Sequence, residues 1–533
     1  MTTELAMNLI RRQNLGDALR RAAFAVPDKP AVIFYTTEGA SRTITYGQLN
    51  AQACSMAQTL LARGIRHGDR IVILSRNSIE FLIVSFALHK IGAWAVPVNF
   101  MLPPADVQHL IQFSEARWVF VEDAQAAKVS AIADAISWVE AFVQIGNGTP
   151  LPAGWLEFDA LLSAPAEEPE IHIETDDVAT LLFTSGTESA PKGVMLSHAN
   201  YCAAHLSWSF NFHLAEQDRF LITIPLIHMA GYLFSTLCLA NRATIVMTQT
   251  PQPAQMIELM ARHRLTGTAL PPTLYVALLS QPGFRTSDLT SLTKCLSWAS
   301  TIPKAMVDGW RSVAPNLRFF SGQGMSESTA AILTGGFFGD WTDLPNGDGR
   351  WVGRACSFGV DVRLVDDEDR DVPVGEPGEQ IVRGPIIMKG YYKNEEANRR
   401  AFRGGWFHTG DVLIRDAEGN YFFADRVKDM IKTGGENVYS QEVENVLGTH
   451  PEVMQCAVFA VSDPHWGEAV AAAVLVRPGS NPAEAELIAY CRERLAGFKT
   501  PKYIFFRETM PVSAANKLLK RELKAEYGKK MAG

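Results

Sequence analysis

VATLLFTSGTESAPKGV, residues 178 to 194, joins a short run of apolar and β-branched residues to a loop of hydroxyls, glycines and one lysine. Val178–Phe183 has the composition of a buried strand. The loop offers backbone and side-chain groups of the kind that bind phosphate oxygens, at Thr184, Ser185, Gly186, Thr187, Lys192 and Gly193. The segment therefore predicts a polyphosphate-binding loop at the end of a buried strand.

Two other interpretations of this loop remain open on its residues alone. In a Walker loop the lysine is followed by Ser or Thr and a helix, whereas Gly193 and Val194 follow Lys192 here, so that interpretation is weak. An ordinary surface turn has a similar composition. The segment by itself leaves phosphate loop and surface turn equally favoured.

Outward from this loop, short strand-like runs alternate with helical patterns through the first four-fifths of the chain. The runs are Arg70–Leu74, Trp118–Val121, Phe220–Ile224, Thr244–Met247 and Arg318–Phe320. An amphipathic helix is indicated between Leu49 and Leu61. Strands interleaved with helices predict a layered α/β architecture.

The pattern changes after about Asp425, where elements become fewer and shorter. Strands are predicted near Gln455–Val461, Val470–Val476 and Tyr503–Arg507, and a helix near Glu484–Leu495. This part of the chain is predicted to be a small α+β domain. A chain of 533 residues also exceeds what one hydrophobic core usually supports, so at least two domains are expected.

Charge and cysteine content narrow the class of protein. The net charge is −8 and the basic residues form no long cluster, so nucleic acid is not expected as a partner. The seven cysteines are scattered without a CxxC pair, which favours a reducing cytoplasm over a disulfide framework or a zinc site. No leader sequence and no apolar run long enough to cross a bilayer is apparent, so a cytoplasmic protein without a transmembrane segment is expected.

Four further segments carry groups suited to a nucleotide. They are SGQGMSES (321–328), GWFHTGDV (405–412), YFFADRVKDMIKTGGENVYSQEVE (421–444) and PVSAANKLLKREL (511–523). The first follows the strand-like Arg318–Phe320, so Glu327 is expected near a strand end, where ligand crevices of α/β sheets form. Each segment also has an ordinary structural interpretation when it is taken singly. In order, these are a surface acid at Glu327, a turn aspartate in 405–412, an amphipathic linker over 421–444 and a basic C-terminal helix over 511–523.

Together and in this order, the five segments resemble the signature motifs of the acyl-adenylate-forming superfamily, which includes acyl-CoA synthetases, peptide-synthetase adenylation domains and luciferases. The resemblance extends from about Leu49 to Leu523. It implies a large N-terminal AMP-binding α/β domain over residues 1–427 and a small mobile α+β domain over residues 428–533, with a hinge at Lys428.

The activity implied by the resemblance is that of an AMP-forming acid–CoA ligase. A carboxylic acid would attack the α-phosphorus of ATP in the presence of Mg²⁺, giving an acyl-adenylate and pyrophosphate. Rotation of the small domain would then admit coenzyme A, whose thiol takes the acyl group. ATP, Mg²⁺, coenzyme A and a small carboxylic acid are the expected partners, and a homodimer is possible at the level of the family.

The resemblance also assigns residues. Lys517 would serve adenylation, Lys432 would face the adenylate in the second state, and Thr184 and Glu327 would hold Mg²⁺. Asp411 would bind the ribose hydroxyls. The full nucleotide-binding set implied is Thr184, Ser185, Gly186, Thr187, Lys192, Gly322, Gln323, Gly324, Met325, Ser326, Asp411, Arg426, Gly434 and Gly435.

The acid pocket is implied to lie around PLIHMAGY (225–232) and SWASTIP (297–303), with His228, Trp298, Ala299 and Gly324 as its residues. His228 matches a position that often gates the pocket in relatives. Trp298 stands where many relatives have glycine, and an indole there would shorten a fatty-acyl tunnel. A short, medium-chain or compact ring acid is expected; plain core packing of Trp298 is an equally good interpretation.

Four positions depart from the family pattern. Glu188 and Ser189 replace threonine and glycine in the phosphate loop, Gln323 replaces a tyrosine expected to stack on adenine, and Asn516 replaces a glycine before Lys517. These departures keep a non-catalytic nucleotide- or acyl-binding relative as one alternative. The others are a luciferase-type oxygenase and an enzyme that loads a carrier-protein phosphopantetheine. Free CoA is expected because no carrier domain follows residue 533.

Overall fold

The protein was described from a computed structural model over residues 2–184, 191–298, 302–330, 332–355, 359–512 and 518–531. Of the residues assigned from the sequence, five lie outside the described part: Ser185, Gly186, Thr187, Ala299 and Lys517. The departures Glu188, Ser189 and Asn516 lie outside it too. No helix within the described ranges is long and apolar enough to span a bilayer.

Strands and α-helices alternate along much of the described chain. The strands are β1 (Pro30–Tyr35), β2 (Ser41–Thr45), β3 (Arg70–Leu74), β4 (Trp94–Pro97), β5 (Trp118–Glu122), β6 (Ala141–Ile145), β7 (Leu156–Glu157), β8 (Val178–Thr184), β9 (Lys192–Ser197), β10 (Arg219–Ile222), β11 (Thr244–Thr248), β12 (Gly267–Leu270), β13 (Lys294–Ser297), β14 (Arg318–Gln323), β15 (Leu333–Phe338), β16 (Trp351–Ala355), β17 (Asp361–Val365), β18 (Pro377–Arg383), β19 (Gly390–Tyr391), β20 (Phe407–Arg415), β21 (Tyr421–Arg426), β22 (Ile431–Thr433), β23 (Glu436–Val438), β24 (Val453–Asp463), β25 (Gly467–Val476) and β26 (Tyr503–Phe506). The α-helices are α1 (Thr3–Arg11), α2 (Leu15–Ala25), α3 (Tyr46–Ala62), α4 (Ile79–Ile91), α5 (Pro104–Ser114), α6 (Ala126–Ser130), α7 (His198–Asn211), α8 (Met229–Ala240), α9 (Pro253–Arg262), α10 (Pro272–Leu279), α11 (Lys304–Arg311), α12 (Glu395–Ala401), α13 (Ser440–Leu447), α14 (Glu484–Arg492) and α15 (Lys520–Met531).

The chain divides into two compact units. The first consists of Met1–Thr184, Pro191–Asp361 and Arg383–Arg400, and the second is built mainly from Val362–Val382 and Ala401–Gly533. The α/β class expected from the sequence, with a large N-terminal part and a smaller C-terminal part, is confirmed. The hinge at Lys428, and with it the boundary between 1–427 and 428–533, stays a prediction.

Two sheets organise the first unit. One has the order β16–β15–β14–β13–β12–β10–β11–β1–β2, and the strands from β14 to β1 in that order run parallel. The other has the order β19–β9–β8–β4–β3–β5–β6–β7. Helix α4 packs on β3 and β4, α8 packs on β10 and β11, and α2 contacts both helices, so these helices lie between the two sheets.

Burial between two sheets explains why α4 and α8 are apolar on nearly every face. In α4 all residues but one are buried, from Ile79 to Ile91, and α8 (MAGYLFSTLCLA) is buried almost as completely. A helix that is apolar all round is stable only inside a core or a membrane. These two helices therefore require the layered architecture that the strand pattern predicts.

The connections of the first sheet create a switch in direction. From β10 the chain passes through α8 to β11, and then returns through α9 to β12 on the other side of β10. Helices α9, α10 and α11 pack on one another, whereas α8 packs with α2 and α7. The loops that follow β10 and β12 therefore leave toward opposite faces, which opens a crevice at the carboxyl ends of these parallel strands.

The second unit contains two antiparallel systems. Strands β17–β18–β20–β21 form one, and β23–β22–β25–β24 with β26 on β25 form the other. Alternate residues of β24 point to opposite sides: Val458 and Ala460 pack with α13 and α14, whereas Phe459 and Val461 pack with Leu523 and Tyr527 of α15. The α+β character expected of this part is present.

Candidate active site

The sequence-predicted phosphate loop connects two antiparallel strands. In the hairpin of β8 and β9, Thr184 pairs with Lys192 and Phe183 pairs with Gly193. Lys192 thus begins strand β9 and not a helix, so this is not a Walker loop, as the residue order predicts. Gly193 lies in β9, where an added Cβ would stand 2.9 Å from Leu181 Cδ1, and its part in phosphate binding stays a prediction.

Glu327 lies on a tight turn after β14. The turn Ser326–Ser328 is one short 3-10 helix, closed by a hydrogen bond from the Met325 N–H to Ser328 Oγ of 3.1 Å. Thr329 follows with φ 47° and is buried, and its hydroxyl donates to the Ile386 carbonyl at 2.8 Å. A β-branched residue is strained at positive φ, so this hydrogen bond helps to hold the turn that presents Glu327.

Tyr391 joins this turn to the phosphate-loop hairpin. Its hydroxyl donates to Glu327 Oε1 at 3.0 Å, and its ring centroid lies 5.1 Å from Lys192 Nζ. Strand β19 places it there by pairing with β9, with Tyr391 opposite Val194. The structure therefore brings Lys192 and Glu327, assigned independently from the sequence, to the two sides of one tyrosine. A cation over a ring face and a hydrogen-bonded carboxylate are both favourable arrangements.

Sequence reasoning did not identify Tyr391. The only signal was the aromatic pair in GYYKN, residues 390 to 394, which has no catalytic residue type at a diagnostic spacing. The second tyrosine, Tyr392, donates its backbone N–H to the Gly193 carbonyl at 2.8 Å and extends the pairing with β9.

The remaining residues expected near the nucleotide base occupy the end of β14. Gln323 is buried at the last position of the strand and pairs with Leu333. At Gly322 an added Cβ would lie 3.1 Å from Trp208 Cη2, which accounts for glycine there. Gly324 is exposed, and Met325 and Ser326 are half-buried. This places the polar turn at the surface and Gln323 just beneath it.

The residues assigned to the acid pocket lie at the same edge of the first sheet. His228 follows β10 and precedes α8, Trp298 follows β13, and Gly324 follows β14. Because these strands are parallel neighbours or near neighbours, their carboxyl ends share one edge, beside the crevice between β10 and β12. Gly231 lets α8 start close to the preceding loop, since a Cβ there would be 2.4 Å from the Pro225 carbonyl oxygen.

Trp298 differs from the tryptophans of the core. It is half-buried, and its indole makes no hydrogen bond and no ring contact with the residues that the structure describes. By contrast, Trp208 and Trp310 are fully buried and pack edge-on or tilted against aromatic neighbours. The place of Trp298 directly after β13 fits both interpretations, and its part in the acid pocket stays a prediction.

In the second unit, Asp411 and Arg426 are neighbours. They pair across β20 and β21, and Arg426 Nε lies 3.2 Å from Asp411 Oδ1. The Asp411 backbone N–H donates to Thr409 Oγ1 at 3.1 Å, and that hydroxyl donates to the Gln380 carbonyl at 2.8 Å. The carboxylate is buried while the Arg426 side chain is 44% exposed, so the basic member of the pair is the one that reaches the surface of this unit.

Lys432, Gly434 and Gly435 form a second feature of this unit. Strands β22 and β23 are joined by the two glycines, which have φ 59° and 86°. Positive φ at both central residues is the requirement of the favoured two-residue hairpin turn. Lys432 is exposed on this hairpin, and its backbone N–H donates to Glu468 Oε2 at 2.8 Å. Trp466 packs beneath the turn, 2.7 Å from where a Cβ of residue 434 would be.

A magnesium ion fits the first unit through Glu327. Among the described residues no group of three or more His, Cys, Asp or Glu could hold a metal ion by itself. Mg²⁺ commonly takes one or two carboxylates together with substrate phosphates and water. A single carboxylate that accepts a hydrogen bond from Tyr391, whose ring also contacts Lys192, has the chemistry of that kind of site.

Two family models match this chain. That of the AMP-binding enzymes matches residues 19–392, and that of the AMP-binding enzyme C-terminal domain matches residues 442–517. The first covers the two sheets, the phosphate-loop hairpin and Glu327, and the second covers most of the C-terminal α+β part.

Curated proteins similar to the chain over nearly its whole length include ligases for different acids. A feruloyl-CoA synthase of Amycolatopsis sp is 35% identical over 522 residues, with 97% of this chain and 100% of that protein covered. The long-chain-fatty-acid–CoA ligase FadD13 of Mycobacterium tuberculosis is 31% identical over 521 residues, with 97% and 99% covered.

Similar solved structures hold adenine nucleotides. The anthranilate CoA ligase AuaEII in complex with anthranoyl-AMP matches with a TM-score of 0.87 and 27% identity, over 98% of each chain. ATP-bound MatB from Rhodopseudomonas palustris matches with a TM-score of 0.85 and 27% identity, over 97% of this chain and 99% of that one.

Proposed function

This chain belongs to the AMP-binding enzyme family, in its acid–CoA ligase branch, and on that premise we propose that it activates a compact carboxylic acid as an acyl-adenylate and transfers the acyl group to free coenzyme A. The enzyme class follows from the family and its relatives: it is an AMP-forming acid–CoA ligase. The size of the acid, the free thiol acceptor and the roles of individual residues are the proposal.

The observation that carries the proposal is the Lys192–Tyr391–Glu327 arrangement at the turn after β14. A carboxylate is a poor acyl donor because its oxygen is a poor leaving group. Transfer of AMP to the acid solves this problem but brings an anionic acid against an anionic phosphate. Fixed cationic groups lower the barrier of such a step because they stand ready where charge concentrates. Lys192 is one of them, and Glu327 would hold Mg²⁺, which neutralises phosphate charge when bound.

Two further lysines are proposed to divide the two half-reactions. Lys517 serves adenylation by contributing an ammonium to the carboxylate and the α-phosphate, as the resemblance implies. Lys432 serves the thioester step, with the change of conformation taking place at Lys428. The exposed position of Lys432 on a two-residue hairpin supports this role, because the side chain is not used in a buried pair.

A compact acid is supported by Trp298 and by the relatives. The indole follows β13 at the sheet edge that would hold the acid, where its bulk shortens the space open to an acyl chain. Feruloyl-CoA synthase and the anthranilate ligase are named for acids with one aromatic ring, which favours the compact ring acid within the expected range. FadD13 is named for long-chain acids and speaks for the opposite choice, so the assay must include both.

The test is AMP release measured with a panel of acids in the presence of ATP, Mg²⁺ and CoA. We expect benzoate- or cinnamate-like acids, or butyrate to octanoate, to have higher kcat/KM than palmitate. A preference for palmitate would reject the compact pocket while leaving the enzyme class intact. No acid-dependent ATP–pyrophosphate exchange with any member of the panel would favour a non-catalytic relative. Exchange without CoA-dependent turnover would favour a carrier-protein acceptor.

Lys517→Ala tests the division of roles. The variant is expected to lose acid-dependent ATP–pyrophosphate exchange while retaining thioester formation from supplied acyl-AMP, because the ammonium is needed only where phosphate and carboxylate meet. Equal loss in both half-reactions would remove Lys517 from the adenylation step. Lys304→Ala removes an exposed lysine of α11 that pairs with Asp308 at 2.6 Å, so it is the control and should leave both rates near wild type.

A further inference from the structure

A cluster of charged and polar side chains lies inside the second unit, next to the strand that carries Arg426 and to the end of the Lys432 hairpin. Lys520 Nζ lies 2.7 Å from Glu444 Oε1 and donates to Ser440 Oγ at 2.6 Å. Ser440 Oγ in turn donates to Asp425 Oδ1 at 3.1 Å, and the Ser440 backbone N–H donates to Asp425 Oδ2. Asp425 and Ser440 are buried, and the side chains of Glu444 and Lys520 are only 12% and 15% exposed.

Three members of this cluster begin or adjoin a segment that the proposed function uses. Asp425 precedes Arg426, and its Oδ1 accepts the Arg426 backbone N–H at 2.8 Å. Ser440 is the first residue of α13, two residues after β23 of the Lys432 hairpin. Lys520 is the first residue of α15 and stands three positions after Lys517 in the sequence.

The positive charge of Lys520 is compensated by the carboxylates of Glu444 and Asp425 inside the cluster. Burial by itself lowers the pKa of Lys520, but Glu444 and Asp425 outweigh it and hold that pKa above its ordinary value. Glu444 is also held by the backbone, since its Oε1 accepts the Val458 N–H at 2.8 Å. A buried ion pair of this kind contributes little net stability compared with apolar packing, yet removal of one partner is costly. Its place inside this unit is better explained by the segments that it holds together.

We infer that Lys520 is a positioning residue of the ligase reaction: through Ser440, Glu444 and Asp425 it locks together the strand that carries Arg426, the helix that follows the Lys432 hairpin and the start of α15. The inference rests on the proposed function, because it concerns the placement of groups that act in it. Nothing in it requires Lys520 to touch a substrate.

A second pair of contacts supports a fixed start of α15. Val512 and Leu518 form an isolated antiparallel bridge, and the Leu519 N–H donates to the Pro511 carbonyl at 2.9 Å. Both described ends of the segment that contains Lys517 are thus tied to each other, and Lys520 ties them to α13 and β21. An exposed lysine could not do this, because surface ion pairs hold a geometry only weakly.

The experiment compares four variants of the full chain: Lys520→Met, Lys520→Arg, Ser440→Ala and Lys499→Met. Lys499 pairs with Glu442 of the same helix α13 at 2.8 Å, but it is more exposed, so its loss is the matched control for removing a lysine–glutamate pair. Each variant is assayed for ATP–pyrophosphate exchange and for thioester formation from supplied acyl-AMP, at a temperature where circular dichroism shows it folded.

For Lys520→Met we expect kcat of the exchange reaction to fall about 10- to 100-fold, because a shift near 1 Å in a catalytic group costs that much. The KM for the acid should stay near wild type, since the residues assigned to the acid pocket belong to the first unit. Ser440→Ala, which keeps every charge, should show a smaller loss of the same kind, and Lys520→Arg should recover part of the rate. Lys499→Met should remain within about twofold of wild type.

Two results would overturn the inference. One is a folded Lys520→Met variant with wild-type kcat in both half-reactions. The other is a decrease in kcat that is proportional to the loss of folded protein and is the same in Lys499→Met and Lys520→Met. A purely structural role of Lys520 predicts that result. Failure of the proposed function itself would be seen separately, as absence of acid-dependent exchange in the wild-type chain.

Discussion

The turn between β22 and β23 contains two adjacent glycines that differ in the space available for a Cβ atom. Alanine at each position therefore tests the role of this hairpin. Gly434 and Gly435 both have positive φ, so alanine at either position carries the left-handed penalty of about 1–2 kcal/mol. At Gly435 an added Cβ meets nothing within 4 Å. At Gly434 it would lie 2.7 Å from Trp466 Cε3, and the Gly434 N–H donates to the Trp466 carbonyl at 2.9 Å.

Relief of the overlap at Gly434 requires movement of the hairpin or of the Trp466 indole, which is 42% exposed and lies under Lys502 Nζ. Overpacking of this kind costs up to about 3 kcal/mol, which adds to the backbone penalty, so Gly434→Ala should destabilise the hairpin by about 2–5 kcal/mol. Gly435→Ala should cost only the backbone part. Lys432 lies on the same hairpin, paired with Asn437, and must move with it.

The assay is single-turnover thioester formation from supplied acyl-AMP, with hydrogen exchange of the 431–438 amides as the local measure of stability. Gly434→Ala is expected to slow thioester formation about tenfold or more and to leave ATP–pyrophosphate exchange within about twofold, because the hairpin is proposed to act only in the second half-reaction. Gly435→Ala should lie between this variant and wild type. In the Gly434→Ala/Trp466→Ala double variant, removal of the indole should restore part of the lost protection, measured as a coupling between the two sites.

The reasoning would be refuted if Gly434→Ala and Gly435→Ala had the same exchange protection and the same thioester rate, since the Trp466 contact would then have no effect. It would also be refuted if both half-reactions slowed equally, because the hairpin would not be specific to thioester formation.

Three further predictions concern the first unit. Tyr391→Phe removes the hydrogen bond to Glu327 but keeps the ring. The loss of about 1 kcal/mol of transition-state stabilisation should lower kcat/KM for MgATP about fivefold. A magnesium titration of AMP release should also show that the variant needs a higher Mg²⁺ concentration. Trp298→Gly should raise the kcat/KM ratio of palmitate over cinnamate by about tenfold or more, and an unchanged ratio in the acid panel would return Trp298 to a packing role. Burial lowers the pKa of His198 to about 4 and that of His205 to about 3, so both are neutral in the fold. The unfolded chain protonates these histidines below about pH 6.5, so the folded state keeps its full free energy of unfolding above that pH and loses about 2 kcal/mol for each histidine at pH 5. Thermal unfolding measured from about pH 7 to about pH 4 should show this loss. In the His205→Gln variant the free energy of unfolding should depend less steeply on pH.

The elements of the fold followed closely from local sequence. Arg70–Leu74 is a strand with the predicted bounds, and Thr244–Met247 extends by one residue. Phe220–Ile224 instead starts one residue earlier and ends at Ile222, since the chain there turns toward Pro225 and the start of α8. Periodicity and strand composition are properties of neighbouring residues, which is why they can be read without a structure.

Partners across the fold could not be predicted in this way. Tyr391 and Glu327 are separated by 64 positions, and neither GYYKN nor MSES alone indicates that the two side chains meet. Their contact depends on β19 joining the edge of the sheet beside β9, which is a consequence of tertiary pairing. A single sequence contains the residue types of such a pair but no sign of the pairing.

The same limit explains the opposite outcome at Lys520. In KLLKREL the spacing favours an ordinary basic helix with its lysines in water, and that interpretation is correct for most such residues. Lys520 is nevertheless held inside the second unit, because Ser440, 80 positions away, and Glu444 place a hydroxyl and a carboxylate where its ammonium ends. The local sequence pattern determines that a helix forms. Whether a lysine on that helix is buried or exposed is determined by distant residues, here Ser440 and Glu444, which the local pattern does not contain. A charge placed in this way carries more information about function than one on the surface, since burial must be compensated by specific partners and those partners fix the segments to which they belong.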